Sequence, residues 1–456
     1  MLRRNGGDSL MNKRCNVLHQ GHTERLRMTA ATMSKPNGDV RRVRAVVAAS
    51  IGNALEWFDF IIYGFFAVLM ARLFFPTGDE TVSLMVALAA FGVPFFMRPL
   101  GAIVIGNYAD RHGRKAAFTL TILLMMAGTA IIATAPTYAT AGLLAPLLIV
   151  VARLIQGFSA GGEFGSATAF LAEQDPQRRG FFASWQFASQ GLTTVLATSI
   201  GVSLTLTLTT AQMESWGWRI PFIIGLLIGP VAWYIRRHVD ETIEFKTMQV
   251  SASPLKEALS DGKKRLLIAL GVVALSTVSM YTVVLFMPTY AAREFGLTTS
   301  VGFLGGLLVG SIQLVLIPVF GAMSDRYGRL PIMFASAAGM LIAFYPLFSW
   351  LAASPTLQTL LIVQGIIGLL MAAYMGPLAA LMAELFPPRM RTTGLSVSYA
   401  FAVAIFGGLA PLFNTWIIAA TGNKLAPAFY LVLAAAISLT ALTFAKRQSS
   451  SELGMR

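Results

Sequence analysis

The chain has 456 residues, 55% of them hydrophobic and only 12% charged, with a formal net charge of +14. Soluble domains carry about 25% charged residues, so that class is excluded. The positive excess does not describe a nucleic-acid binder either, because the lysines and arginines lie between apolar runs and not along one face or arm.

Residues 1–40 are polar and basic, hold no apolar core of signal-peptide length, and read as a disordered cytoplasmic tail, with Met28 and Met33 as alternative starts. The single cysteine, Cys15, falls there, so neither an intramolecular disulfide nor a cysteine metal cluster is expected. The four histidines, His19, His22, His112 and His238, all lie outside the apolar runs. Twelve apolar runs of spanning length follow. They lie near 45–70, 83–106, 116–135, 143–172, 181–209, 219–235, 266–290, 301–323, 331–351, 358–384, 394–418 and 427–445. The pattern predicts an all-α multi-pass membrane protein. Two six-helix bundles, 41–235 and 266–445, are joined by a cytoplasmic linker, 236–265, and followed by a short tail, 446–456.

Loop charge supports this count. With both termini cytoplasmic, the inside segments hold 29 of the 35 Lys+Arg, and the outside loops hold four: Arg72, Arg219, Arg293 and Lys424. The remaining two, Arg98 and Arg153, are inside apolar runs, as are Glu56, Asp59 and Glu163. A charge at mid-bilayer costs about 2.5–3.5 kcal/mol on insertion scales, so each should face a cavity and have a partner. At about 1.5 Å per residue, Glu56 and Arg153 both lie roughly 15 Å deep, near the midplane, and Arg98 lies at a depth compatible with Glu163. Glu56 shares a helix face with Asn53 and with Asp59. Runs seven to twelve hold no clear interior charge; their polar residues, among them Tyr281, Gln364 and Asn414, are neutral.

A short charged stretch follows the second run, Gly106-Asn107-Tyr108-Ala109-Asp110-Arg111-His112-Gly113-Arg114-Lys115. Gly106 and Gly113 permit tight turning and close approach, Asp110 can cap the next helix, and Arg111, Arg114 and Lys115 mark the cytoplasmic side. The spacing returns about 215 residues later in Gly321-Ala322-Met323-Ser324-Asp325-Arg326-Tyr327-Gly328-Arg329, which points to two domains of one design. The doublet resembles the signature loop of the major facilitator superfamily, found between helices 2 and 3 and again between helices 8 and 9. That resemblance covers nearly the whole chain from about Arg41. It implies the two-bundle facilitator fold, and a latch that clamps the halves during alternating access. The latch role falls on Gly106, Asp110, Arg111, Gly113, Arg114, Asp325, Arg326, Gly328 and Arg329. Leu330 stands where the first copy has Lys115, which makes the latch asymmetric.

The run Arg153-Leu154-Ile155-Gln156-Gly157-Phe158-Ser159-Ala160-Gly161-Gly162-Glu163 resembles the fourth-helix motif of proton-coupled facilitators, whose arginine the family assigns to proton coupling. An arginine does not release a proton at working pH, so its part is to tune a neighbouring carboxylate and hold an anion. Gly52-Asn53 with Glu56-Trp57-Phe58-Asp59, the second-run Arg98 and the Arg219 entering run six look like the metabolite:proton symporter branch. That branch carries citrate, 2-oxoglutarate, shikimate, proline and betaine. Ser184-Trp185-Gln186-Phe187-Ala188-Ser189-Gln190 and Phe406-Gly407-Gly408-Leu409-Ala410-Pro411 look most like its citrate and tricarballylate carriers. Arg219 is either a gate or an interfacial anchor.

The expectation is a proton symporter importing a di- or tricarboxylate through a bacterial-type inner membrane. It would work as a monomer in the bilayer, without cofactor, metal or nucleic acid. Asn53, Arg98, Arg153, Gln156 and Gln190 are the substrate candidates; Glu56, with Asp59 or Glu163, would carry the proton. A compatible-solute symporter is the nearest rival, since Trp57, Phe60 and Tyr63 could cage a quaternary cation. A transporter-like nutrient sensor shares the same fold. A membrane enzyme is disfavoured, because no histidine or cysteine constellation lies in the apolar runs.

Overall fold

The computed structural model describes residues 35–112, 114–237 and 262–453; the side chains of 106, 107 and 109–118 fall outside that description. Two compact units divide the chain, Met1–Val47 and Ala48–Arg456, and the second contains nearly all of both predicted bundles. All the rods are helices: α1 Lys35–Phe65, α2 Glu80–His112, α3 Arg114–Thr134, α4 Leu144–Glu173, α5 Arg179–Thr207 and α6 Arg219–Arg237 in the first half. The second half has α7 Lys263–Leu285, α8 Thr299–Tyr327, α9 Arg329–Ala353, α10 Leu357–Leu385, α11 Arg391–Thr421 and α12 Ala426–Leu453. Among the described residues nine are long and apolar enough to cross a membrane. A tenth span is α1, which turns by 67° after Phe65 into Ala67–Phe74. α3, with its apolar stretch Thr119–Thr134, and α6 occupy the other two places in the predicted order of twelve.

Two boundaries move. α1 is helical from Lys35 and α12 runs to Leu453, so helix enters both segments expected to be tails. Hydropathy ends at the edge of the hydrocarbon, whereas a helix that satisfies its own backbone continues past it. The expected tail 1–34 and most of the linker, 238–261, lie outside the described residues.

Two rods widen locally into π turns, α7 at Met280–Leu285 and α11 at Val403–Gly407, and a third π turn, Met213–Gly217, lies between α5 and α6. Each closes on an i→i−5 bond: Trp218 to the Met213 carbonyl, Phe286 to Tyr281 and Gly408 to Val403. Each also precedes a proline, Pro221, Pro288 and Pro411. Proline lacks the N–H for the carbonyl four residues back and crowds it, and that carbonyl belongs to Gly217, Val284 or Gly407, inside the π turn every time.

Burial sorts the second half. α7 and α10 have 89% and 83% of their apolar windows buried and form its centre; α9 has 28% and turns Ile342, Tyr345 and Trp350 outward. The halves meet on both sides of the buried charges. At one end Asp325 and α5 are in contact, and the Phe164 and Tyr399 rings stack at 3.4 Å. At the other, a Cβ on Gly64 would lie 2.5 Å from Leu285, and one on Gly92 2.5 Å from Leu409. Arg293 there donates to Thr81 at 2.8 Å.

Candidate functional site

α2 carries Arg98 and α4 carries Arg153, and glycines let these two rods nearly touch. A Cβ on Gly157 would run into the Pro94 backbone, one on Gly161 into the Arg98 carbonyl, and one on Gly101 into the Phe158 carbonyl. This is the small-residue crossing by which membrane helices pack most closely. Both guanidiniums are consequently enclosed, at 3% and 0% exposure.

One ring lies beside both. Arg98 Cζ sits 5.0 Å from the Phe60 centroid and Arg153 Cζ 4.9 Å from it. Arg98 also covers Phe95 and Trp57, while Arg153 covers Tyr63 and Phe91. Aromatic faces replace part of the hydration a buried cation loses. The polar partners differ. Arg98 pairs with Glu56 at 3.4 Å, a long single contact. Arg153 donates to the Gln156 side-chain oxygen at 3.0 Å and to the Phe91 carbonyl at 3.2 Å.

Gln156 passes the polarity on. Its Nε2 donates to Thr129 Oγ1 at 3.1 Å, and Thr129 in turn donates to Asp59. A directed chain thus joins Arg153 on α4, through α3, to Asp59 on α1. The second Asp59 oxygen has no hydrogen-bond partner among the described residues and faces Gly225 of α6, where a Cβ would come within 2.7 Å. These pairings correct two expectations built on depth. Arg98 pairs with Glu56 and not Glu163, and the carboxylate joined to Arg153 is Asp59, through neutral groups. Depth along a run gives height, not the direction in which a side chain leaves its helix. Glu163 is half-buried and begins the lower part of α4, after a 3₁₀ turn at Ala160–Gly162.

Asn53 is buried but committed. Its amide donates to the Gln186 carbonyl at 2.9 Å and to Ser189 Oγ at 2.7 Å, and accepts from Gln186 Nε2 at 2.9 Å. It stitches α1 to α5 and has no spare donor for substrate, contrary to expectation. Gln190, one turn on, is buried with its Nε2 without a hydrogen-bond partner among the described residues.

Comparison with known proteins decides the family. Residues 45–249 and 233–453 each match the family described as Sugar (and other) transporter. The chain belongs to that family. It is 36% identical over 415 residues to a citrate-proton symporter of Klebsiella pneumoniae, covering 90% of this chain and 94% of that one. It is 33% identical over 420 residues to a proline/betaine transporter of Escherichia coli, covering 87% and 82%. The crystal structure of a D-xylose-proton symporter superposes with a TM-score of 0.69 at 18% identity, covering 88% of this chain and 97% of that one. The fold is the major facilitator fold, and the protein is a multi-pass membrane transporter, not an enzyme.

The second copy of the transporter's doublet is intact. Asp325 accepts from the N–H groups of Gly180 (2.8 Å) and Phe181 (3.0 Å) at the start of α5, the end of a helix dipole that attracts a carboxylate. Arg329 holds Asp325 at 2.6 Å and reaches Glu384 at 3.2 Å. Gly328 caps α8 at φ +86°, a conformation that favours glycine. Arg326 is exposed. Of the first copy, Gly113 and the side chains at Gly106, Asp110, Arg111 and Arg114 lie outside the described residues. Arg391 on α11 pairs with Glu173 on α4 at 2.8 Å, a bridge between the halves that hydropathy had no means to find. Arg219 donates to the Ser215 and Ala135 carbonyls and lies over Trp218, tying α6 to the end of α3, as an anchor would.

Among the described residues, the centre of the transporter's second half holds neutral polar groups. Gln364 of α10 donates to the Val283 carbonyl in the α7 π turn at 2.8 Å, and Asn414 of α11 donates to Thr282 at 3.0 Å. Gln364 and Asn414 stand out in the sequence as polar residues in apolar runs, whereas Thr129 has no pattern to mark it.

Proposed function

We propose that the transporter imports a di- or tricarboxylate, citrate first among them, together with protons by alternating access. It would work as a monomer in the bilayer of a bacterial-type cytoplasmic membrane, with both termini inside. One observation carries the proposal: two enclosed arginines share the Phe60 ring, and among the described residues only Arg98 has a direct carboxylate partner.

The chemistry follows from charge. Arg98 and Arg153 balance Glu56 and Asp59 when all four are ionised. An entering polyanion upsets that balance, and burial penalises the excess. A substrate carboxylate that takes Arg98 displaces Glu56, which then loses its Arg98 contact and binds a proton. Substrate and proton cross together with less buried charge than either would leave alone. Asp59, joined to Arg153 through Gln156 and Thr129, is the second proton candidate and Glu163 the third. Gln156 orients the Arg153 fork toward the same substrate carboxylate that takes Arg98. Asp325 and Arg329, with Asp110 and Arg114 in the other copy, would hold and release the cytoplasmic side.

The citrate-proton symporter relative supports this choice of cargo, and the proline/betaine relative names its rival. A betaine carrier needs free aromatic faces for a quaternary cation. Trp57 and Phe60 lie under Arg98, and Phe60 and Tyr63 under Arg153, which favours an anion. The test is uptake into proteoliposomes under an imposed pH gradient, with labelled citrate, 2-oxoglutarate, shikimate, proline and glycine betaine. Citrate accumulation that collapses with the gradient is expected; accumulation of betaine or proline alone overturns the proposal. A reporter fused after residue 250 should read as cytoplasmic.

A further inference from the structure

The π turns of α7 and α11 abut. A Cβ on Gly407 would lie 2.5 Å from Thr277 Oγ1 and 2.6 Å from the ring of Tyr281. Tyr281 is thereby pressed away from its own half. Its ring packs edge-on against Phe95 at 5.6 Å and Phe91 at 6.0 Å on α2, and tilts against Trp57 at 6.2 Å on α1. These are rings that carry the two arginines.

Its hydroxyl is the anomaly. Tyr281 is 2% exposed, and its oxygen has no hydrogen-bond partner among the described residues. Other tyrosines of this interior spend theirs on backbone carbonyls: Tyr63 on Ala87, Tyr374 on Val272, Tyr430 on Phe406. Buried hydroxyls are almost always satisfied, and one that is not needs an explanation. Here a clamp of neutral residues holds a phenol among the rings that lie beside the two arginines, and its hydroxyl has no hydrogen-bond partner among the described residues.

We infer that Tyr281 is a specificity-determining residue, whose hydroxyl donates to a second carboxylate of the transported acid while the arginines hold the first. This rests on the carboxylate cargo proposed above. A monocarboxylate satisfies the arginines and leaves the phenol empty, whereas a di- or tricarboxylate spans from α2 and α4 to α7. Cargo of the right length is then what joins the halves at their centre.

The experiment measures binding to the purified full-length transporter, with citrate, succinate and acetate as probes. A hydrogen bond to a charged group corresponds to a loss of about 10- to 100-fold in affinity. Tyr281→Phe keeps the packed ring and should lose that much for citrate and succinate while leaving acetate unchanged. Tyr374→Phe removes a hydroxyl that donates to the Val272 carbonyl within the second half; it should lower thermal stability and leave citrate affinity alone. Unchanged citrate and succinate binding in Tyr281→Phe, or an equal loss for acetate, overturns the inference. Should that variant not fold, the wild type decides: succinate should bind at least about tenfold more tightly than its monomethyl ester, and a ratio near one overturns the inference. Wild-type protein that binds none of the acids removes the carboxylate proposal and this inference together; wild-type binding with an indifferent Tyr281→Phe removes this inference alone.

Discussion

The two halves share a fold and divide its chemistry. The first encloses Glu56, Asp59, Arg98 and Arg153; the centre of the second, α7 and α10, is the most deeply buried part of the molecule and holds neutral amides and phenols. Among the described residues, the polar partners of the enclosed arginines are on their own half: Glu56 on α1, Phe91 on α2, Gln156 on α4. Ionic contacts between the halves occur instead near their ends, as at Arg391–Glu173. The difference teaches where movement is cheap. A buried pair split between two moving bodies would strand a charge at each opening. With charge kept in one body and hydrogen bonding in the other, the centre can open without breaking an ion pair.

The largest test of this division is Glu56→Gln. It imitates the protonated acid, so substrate binding and exchange across the membrane should persist while accumulation driven by a pH gradient disappears. Counterflow and gradient-driven uptake measure the two separately. A variant that still concentrates substrate moves the proton role to Asp59 or Glu163.

Arg153→Lys comes next. The charge stays, but the fork that reaches both Gln156 and the Phe91 carbonyl is lost. Binding should weaken by about 10- to 100-fold, as when a hydrogen bond to a charged group is removed. Equilibrium binding at fixed pH checks this, and unchanged affinity would place the anion elsewhere.

Asp325→Asn acts between the halves. It weakens a carboxylate that holds the start of α5 and should change turnover several-fold with substrate affinity within about twofold, since it biases a conformational equilibrium and touches no cargo. A large loss of affinity with normal turnover contradicts that role.

The smallest effect belongs to the neutral half. Gln364→Leu leaves the Val283 carbonyl in the π turn without its donor, at about 1–3 kcal/mol of stability. A thermal melt should register the loss while proton coupling, read from pH-driven uptake, stays intact. Loss of coupling in this variant would blur the separation of the two halves.

Much of this was legible before any coordinates. Twelve runs, the loop charges and the doublet point to the fold, and the five interior charges stand out because apolar runs exclude such residues. The pairing was not legible. Glu56 and Arg153 match in height, yet Glu56 turns to Arg98, because rotation about a helix axis is set by packing, here by Gly101, Gly157 and Gly161 against α2 and α4. Thr129 looked like any threonine in an apolar helix until Asp59 and Gln156 met on it. The π turns carried a usable signal in Pro221, Pro288 and Pro411. The Tyr281 hydroxyl carried none, since its isolation comes from what surrounds it in three dimensions.

The ring of Phe60 has a consequence for which ions this molecule can tell apart. Two guanidiniums that each approach its centroid within 5.0 Å are less than about 10 Å from one another, where like charges repel by at least about 1.7 kcal/mol at an effective dielectric of about 20. Holding them together is electrostatic work done at folding and kept in the empty protein, with mobile salt shut out of the enclosure. A guest returns that work in proportion to the negative charge it places between them. Valence, more than size, then sets the ranking of guests, and the same acid should be bound differently in each of its ionisation states as the medium is acidified.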